Sequence, residues 1–154
     1  MTNSRVAWLV GLIAGLMLST FAARAQEDVT VYQTDAPFED VAFSVNDAII
    51  NLGYVVDHRG NVAQMLRRTA EAVGADKTLY RNAEFLQFCS AVVSRKVMEQ
   101  DIGNIAYCPY IIFIYEAEAE PGVVNVGFRR LPEGEGRDQV NEILDGIARE
   151  AAGQ

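Results

Sequence analysis

The continuous apolar run at residues 110–115 (Tyr-Ile-Ile-Phe-Ile-Tyr) limits the possible folds more than any other segment of the sequence. β-branched and aromatic side chains favour strands, and a run without alternation predicts a central strand that is covered on both faces. Pro121-Gly122 then predicts a turn, and residues 124–128 alternate between apolar and other side chains. The sequence therefore predicts a β-hairpin at the centre of a sheet.

The rest of the sequence alternates between strand-like and helix-like spacing of apolar residues. Strand patterns occupy residues 29–33, 54–58 and 78–89. Helical patterns begin after Pro37 and recur at residues 62–73, 91–100 (with Ser90 as N-cap) and 138–152. The order β-α-β-α-β-α-β-β-α predicts a single α+β domain whose helices pack on one face of a mostly antiparallel sheet.

The first 25 residues have the pattern of a cleaved secretory signal peptide. A polar, basic start precedes an apolar run at residues 6–18, and Ala23-Arg24-Ala25 provides the small residues before a cleavage site. An uncleaved anchor is the alternative, but the run is shorter than the ~20 apolar residues of a membrane span. We expect cleavage between Ala25 and Gln26, no stable membrane anchor afterwards, and a periplasmic or secreted domain at residues 26–154.

The charge of the chain excludes some classes of partner. The chain has 13 basic and 21 acidic side chains, a formal net charge of −8. Nucleic acids and anionic membrane surfaces attract clustered Lys and Arg, so neither is expected as a partner.

Motifs that would identify an enzyme are missing from the sequence. It contains no G-x-S-x-G, H-E-x-x-H, Walker or C-x-x-C pattern, and it has only one His and two Cys. A Cys/His zinc site built from four ligands is therefore excluded, and an enzymatic activity is not favoured.

Cys89 and Cys108 are the first candidates for chemistry. One closes a predicted strand, the other precedes the next strand, and one predicted helix lies between them. In an oxidising compartment such a pair forms a disulfide if the geometry allows, which would stabilise the fold by about 3 kcal/mol. Two buried free thiols, or a reactive or metal-ligating pair, are the alternatives.

His58 and Met65 are the other candidate ligands. With Cys89 and Cys108 they could hold a metal or a haem iron, because imidazole, thiolate and thioether are all ligands of these groups. The alternative is a histidine at the end of a strand, in a polar loop.

Three arginines precede or begin the last predicted helix. Arg129, Arg130 and Arg137 could bind an anion at the helix N-terminus. Because acidic residues interleave with them, a solvated loop is the favoured interpretation.

Three segments resemble the "domain of unknown function 302" family. They are residues 38–54, a helical pattern ending in Leu-Gly-Tyr; residues 88–90 (Phe-Cys-Ser); and residues 107–116, in which Tyr-Cys-Pro runs into the apolar strand. The resemblance covers about residues 30–131, although Cys89 lacks the following Asn-Pro and Cys108 precedes its proline. It implies a small α+β domain, often dimeric, without an agreed enzymatic activity.

Two functions remain as hypotheses. The first is a non-catalytic periplasmic module, expected to be a homodimer, that binds a small ligand or a protein partner without a predicted cofactor. The alternative is a redox or metal/haem-binding protein that uses Cys89, Cys108 and His58, with Met65 as a further ligand.

Overall fold

Five strands and four α-helices follow one another in the order that the sequence predicts. The structure is a computed structural model that describes residues 28–134 and 136–154, so the predicted leader and its cleavage point lie outside the described residues. The strands are β1 (Val29–Thr34), β2 (Val55–Asn61), β3 (Tyr80–Cys89), β4 (Tyr110–Ala117) and β5 (Val124–Arg129). The helices are α1 (Phe38–Asn51), α2 (Val62–Thr69), α3 (Ala91–Gln100) and α4 (Arg137–Ala151), with short 3-10 helices at Glu71–Val73 and Ile102–Tyr107.

The strands form one sheet in the order β1-β5-β4-β3-β2. Every neighbouring pair is antiparallel, and β4 is the central strand. β4 and β5 form the predicted hairpin, in which Ile112 lies opposite Phe128. The predicted α+β class is confirmed.

One face of the sheet carries the core. Tyr110, Ile112 and Ile114 are buried along β4, and they join buried apolar side chains of α1, α3 and α4 in a single cluster. α2 lies against β3 and contributes no buried side chain to that cluster. Three helices therefore provide the main core on this face, while Ala63 of α2 and Ala83 of β3 are buried outside that cluster.

The other face of the sheet, here called the open face, carries Phe85, Ile111, Phe113 and Val31. Ile111 is 38% exposed, Val31 is 40% exposed, and the two phenylalanines are only partly buried. The prediction that residues 110–115 are covered on both faces is therefore wrong. Residues 110–115 are all apolar because alternate side chains enter the core under the helices and the others form an open face that is itself apolar.

One side-chain contact caps α3, and another joins β1 to α4. Ser90 Oγ accepts a hydrogen bond from the Val93 N–H at 3.3 Å, which confirms Ser90 as the N-cap of α3. The Tyr32 hydroxyl donates to Asp145 Oδ1 at 2.5 Å and so joins β1 to α4. This hydrogen bond to a carboxylate raises the pKa of the Tyr32 phenol, because it favours the protonated form.

The turn between β4 and β5 is held by one carboxylate. Glu116 accepts from the Gly122 N–H at 2.9 Å and from Asn82 Nδ2 at 3.0 Å. The pKa of Glu116 is lowered, and the largest cause is the hydrogen bond from the Gly122 N–H, which stabilises the ionised form. Gly122 itself has φ +83°, a backbone conformation that favours glycine.

Among residues 28–134 and 136–154, no helix combines the length and the apolarity that crossing a bilayer requires.

Neighbouring isoleucines on opposite faces of β4 provide a test of one-sided burial. Ile112 is fully buried and Ile111 is 38% exposed. We expect Ile112→Ala to lower the free energy of unfolding by about 2–5 kcal/mol, because it leaves a cavity in the core. Ile111→Ala, measured in the same denaturant titration, should lower it by less than about 1 kcal/mol. Equal losses would contradict one-sided packing.

The Glu116 contacts predict a pH-dependent contribution to stability. Because the pKa of Glu116 is lowered on folding, its contribution is present at neutral pH and is lost as the pH falls through the folded-state pKa. Glu116→Gln should therefore be less stable than wild type at pH 7, and the difference should shrink in acid. Glu120→Gln removes an exposed carboxylate of the same turn that has no ion pair within residues 28–134 and 136–154, and it is the control for charge removal in thermal unfolding at each pH.

Candidate functional site

A groove of about 610 Å³ lies where the starts of β1 and β4 meet the end of β5. Its floor is formed by side chains of the open face, with one wall from the segment before β4 and the other from β1 and the end of β5. Gln87, Ile111 and Phe113 line it from the floor, Tyr107, Cys108 and Pro109 from one wall, and Val29, Arg129 and Arg130 from the other. The remaining lining residues are Asp28, Ala106, Tyr110, Leu131, Pro132 and Leu144.

One floor residue, Phe113, belongs to a row of residues that crosses all five strands. In register the row reads Gly60, Phe85, Phe113, Gly127 and Val31. A Cβ atom at Gly60 would collide with the Phe85 ring, and one at Gly127 would collide with the Thr30 carbonyl oxygen and crowd the Phe113 ring. Each phenylalanine therefore lies over the glycine of a neighbouring strand, and the row is apolar along its length.

Cys89 and Cys108 form a disulfide. Cys89 is the last residue of β3, Cys108 lies two residues before β4, and their Cα atoms are 6.7 Å apart. The predicted pairing is confirmed, whereas the alternative of two buried free thiols is wrong. The bond joins the groove wall at Cys108 directly to the sheet.

A second set of bonds holds the same wall from the side of α4. Arg137 donates to the carbonyl oxygens of Pro132 at 2.9 Å and Glu133 at 2.7 Å, and to Asn104 Oδ1 at 3.0 Å. Its guanidinium carbon lies 5.9 Å from the centre of the Tyr107 ring. Arg137 therefore connects this exposed loop to Asn104 and Tyr107, a structural role that the sequence did not indicate.

Arg129 and Arg130 both line the groove, and Arg130 also borders a second hollow whose lining includes Glu133, Asp138, Glu142 and Asp145. Arg129 is exposed, and Arg130 donates to Thr30 Oγ1 at 3.4 Å. Within the described ranges 28–134 and 136–154, neither arginine forms an ion pair with a carboxylate. A bound anionic group would therefore not have to displace an existing partner, although Asp28 also lines the groove.

The candidate metal ligands are not gathered into a site. His58 lies opposite Gln87 in the register of β2 and β3, with its ring 5.7 Å from the Phe85 ring. Met65 lies on α2 and is 39% exposed. Both cysteine sulfurs are occupied by the disulfide, and the described part of the chain has no cluster of three His, Cys, Asp or Glu side chains able to hold a metal.

Removal of the disulfide tests its contribution to the fold. It closes a loop with a sequence separation of 19 residues. We expect a Cys89→Ser, Cys108→Ser double variant to lose about 3 kcal/mol of unfolding free energy, because its unfolded chain is less restricted. Urea titrations of wild type with and without reductant should show the same difference. A double variant as stable as oxidised wild type would contradict a structural role.

Comparison with known proteins supports the fold. No protein family model and no curated protein matches the sequence. The structure is similar to the crystal structure of the uncharacterized conserved protein DUF302 from Bacillus stearothermophilus, with a TM-score of 0.59 and 14% sequence identity. The match covers 83% of this chain and 95% of that chain. The resemblance that the sequence motifs indicate is thus supported at the level of architecture: the chain has a DUF302-like fold.

Proposed function

We propose that this protein is an exported, non-catalytic domain that binds a small amphipathic molecule in the groove beside the disulfide. The apolar body of the ligand would lie on Ile111 and Phe113, and its anionic group would face Arg129. The observation that carries this proposal is one groove that combines an apolar floor with Arg129, which has no ion-pair partner in the described part of the chain.

The size and composition of the groove suit such a ligand. Its volume of about 610 Å³ is within the range of small-molecule sites, which combine an apolar lining with a few polar groups. Gln87 adds an amide that can donate and accept hydrogen bonds on the floor. Because the disulfide and Arg137 hold one wall, the groove is formed before a ligand arrives.

Electrostatics favour an anionic group at this position in spite of the acidic chain. The formal net charge of −8 repels anions from most of the surface. Arg129, which is opposite Val29 in the sheet register, provides a local exception. Arginine binds carboxylates and sulfonates through two parallel hydrogen bonds.

Export is supported by two independent features. Residues 1–25 have the pattern of a signal peptide, and a disulfide persists in oxidising compartments such as the periplasm. We propose a periplasmic location on this basis, with the small ligand and a second copy of the chain as partners.

One observation favours the redox alternative as a second candidate. Cys108 lines the groove, so the disulfide lies beside any molecule that binds there. A redox function requires that a dithiol reductant opens the bond in the folded protein under mild conditions. Trapping of thiols by alkylation, followed by mass measurement, distinguishes this function from a purely structural bond.

Binding of an anionic fluorescent amphipath tests the ligand proposal. We expect anilinonaphthalene sulfonate to bind wild type at one site. Arg129→Glu or Ile111→Glu should each lower its affinity by about tenfold or more, equivalent to ~1.4 kcal/mol of binding free energy. The matched control is Arg68→Glu, which makes the same charge change on the exposed side of α2. Fluorescence titration and isothermal calorimetry provide the dissociation constants.

The uncharged analogue phenylnaphthylamine separates the two halves of the site. Its affinity should fall in Ile111→Glu and stay unchanged in Arg129→Glu, because it has no anionic group for Arg129. Absence of saturable binding to wild type, or equal binding by the groove variants and the Arg68 control, would overturn the proposal.

A further inference from the structure

The two edges of the sheet differ in how they are protected. β2, at one edge, has a break in its register beside Asp57 and carries charged residues there. β1, at the other edge, has six residues (Val-Thr-Val-Tyr-Gln-Thr) without a charge or a proline, in unbroken register with β5. Proteins usually prevent edge-to-edge pairing with charges, prolines or bulges, so β2 is protected and β1 is not.

The backbone groups that β1 turns outward can be identified. The Arg130 N–H donates to the carbonyl oxygen of Asp28 at 2.8 Å, so Asp28 faces β5, and the alternation of a strand makes Val29, Val31 and Gln33 face away from it. Gln154 Nε2 donates to the carbonyl oxygen of Gln33 at 3.1 Å, which agrees with Gln33 facing away from β5. Val29 and Val31 have no backbone partner outside the sheet within residues 28–134 and 136–154.

We propose that β1 pairs antiparallel with β1 of a second copy of this chain, with Val29 opposite Val31 of the partner subunit. This inference names the surface of the homodimer in the proposed function and does not depend on the ligand. Each Val29–Val31 pair would exchange both of its backbone hydrogen bonds, and one sheet would run through both copies. This register avoids the Gln33 carbonyl, which Gln154 already occupies.

A second copy fits this edge for two reasons. Antiparallel pairing of identical strands matches each outward donor with an acceptor, and the uncharged strand brings no like charges together in a chain of net charge −8. The exposed side chains of Val29 and Val31 lie on the open face, and Val29 lines the groove. Val31 of the partner subunit would therefore extend the apolar wall of the groove.

Sedimentation equilibrium of the purified chain tests the proposal. Wild type should be a dimer, and Val31→Lys should raise the dimer dissociation constant by about tenfold or more. Val31→Pro should also raise it, because proline removes an outward N–H that β5 does not use, and an edge strand tolerates this change. Val55→Lys, on the other edge strand at an even more exposed valine, should leave the constant unchanged.

Amide hydrogen exchange provides a second measurement that does not depend on the variants. The Val29 and Val31 amides should become more protected as the wild-type concentration increases, whereas the Val55 amide should not. Circular dichroism and thermal unfolding confirm that each variant is folded.

Each contrary outcome has a distinct meaning. A dimer that both Val31 variants retain, or that Val55→Lys weakens equally, would place the interface elsewhere and overturn only the edge pairing. A monomeric wild type would overturn the homodimer as well, and a monomer whose Val31 amide is protected would show that β1 pairs with a different segment. The binding of anilinonaphthalene sulfonate, measured on the same samples, reports separately on the ligand proposal.

Discussion

One-sided burial of the sheet by α1, α3 and α4 is the interaction on which the other features depend. Ile112 and Ile114 of the central strand are buried under these helices, while Ile111 between them is on the open face. The helices of the core cluster in the described residues all lie on the other side. The apolar open face can therefore form the floor of a groove, and the outer edge of β1, which carries Val31, stays accessible. The groove and the edge are therefore consequences of the way the helices are distributed.

Local signals in the sequence were sufficient to predict the elements and their order. Ser90 caps α3 and the apolar run at residues 110–115 forms the central strand, because capping and strand preference depend on residues close in the chain. The disulfide could also be predicted from the placement of Cys89 and Cys108 at the ends of elements, together with the predicted leader. The cap and the strand depend on residues that are close in sequence. The disulfide could be predicted because the chain has only two cysteines to pair.

The features that could not be predicted depend on contacts between distant segments. Arg137 donates to Asn104, 33 residues away, and no local pattern distinguishes it from a solvated arginine. Burial on both faces of the central strand was predicted wrongly because an apolar run does not say on which side the helices pack. The groove itself requires Val29, Cys108 and Arg129 to meet, which follows only from the strand order.

The two glycines beneath the phenylalanine rings have different consequences for how sequences with this fold can diverge. The closest atoms to a Cβ at Gly60 all belong to the Phe85 side chain, so a larger residue at Gly60 becomes possible once Phe85 is smaller. A Cβ at Gly127 would instead collide with the Thr30 backbone, which no side-chain replacement removes. Across homologous sequences, residues 60 and 85 should therefore covary as a pair, whereas residue 127 should remain glycine whatever residue occupies position 113.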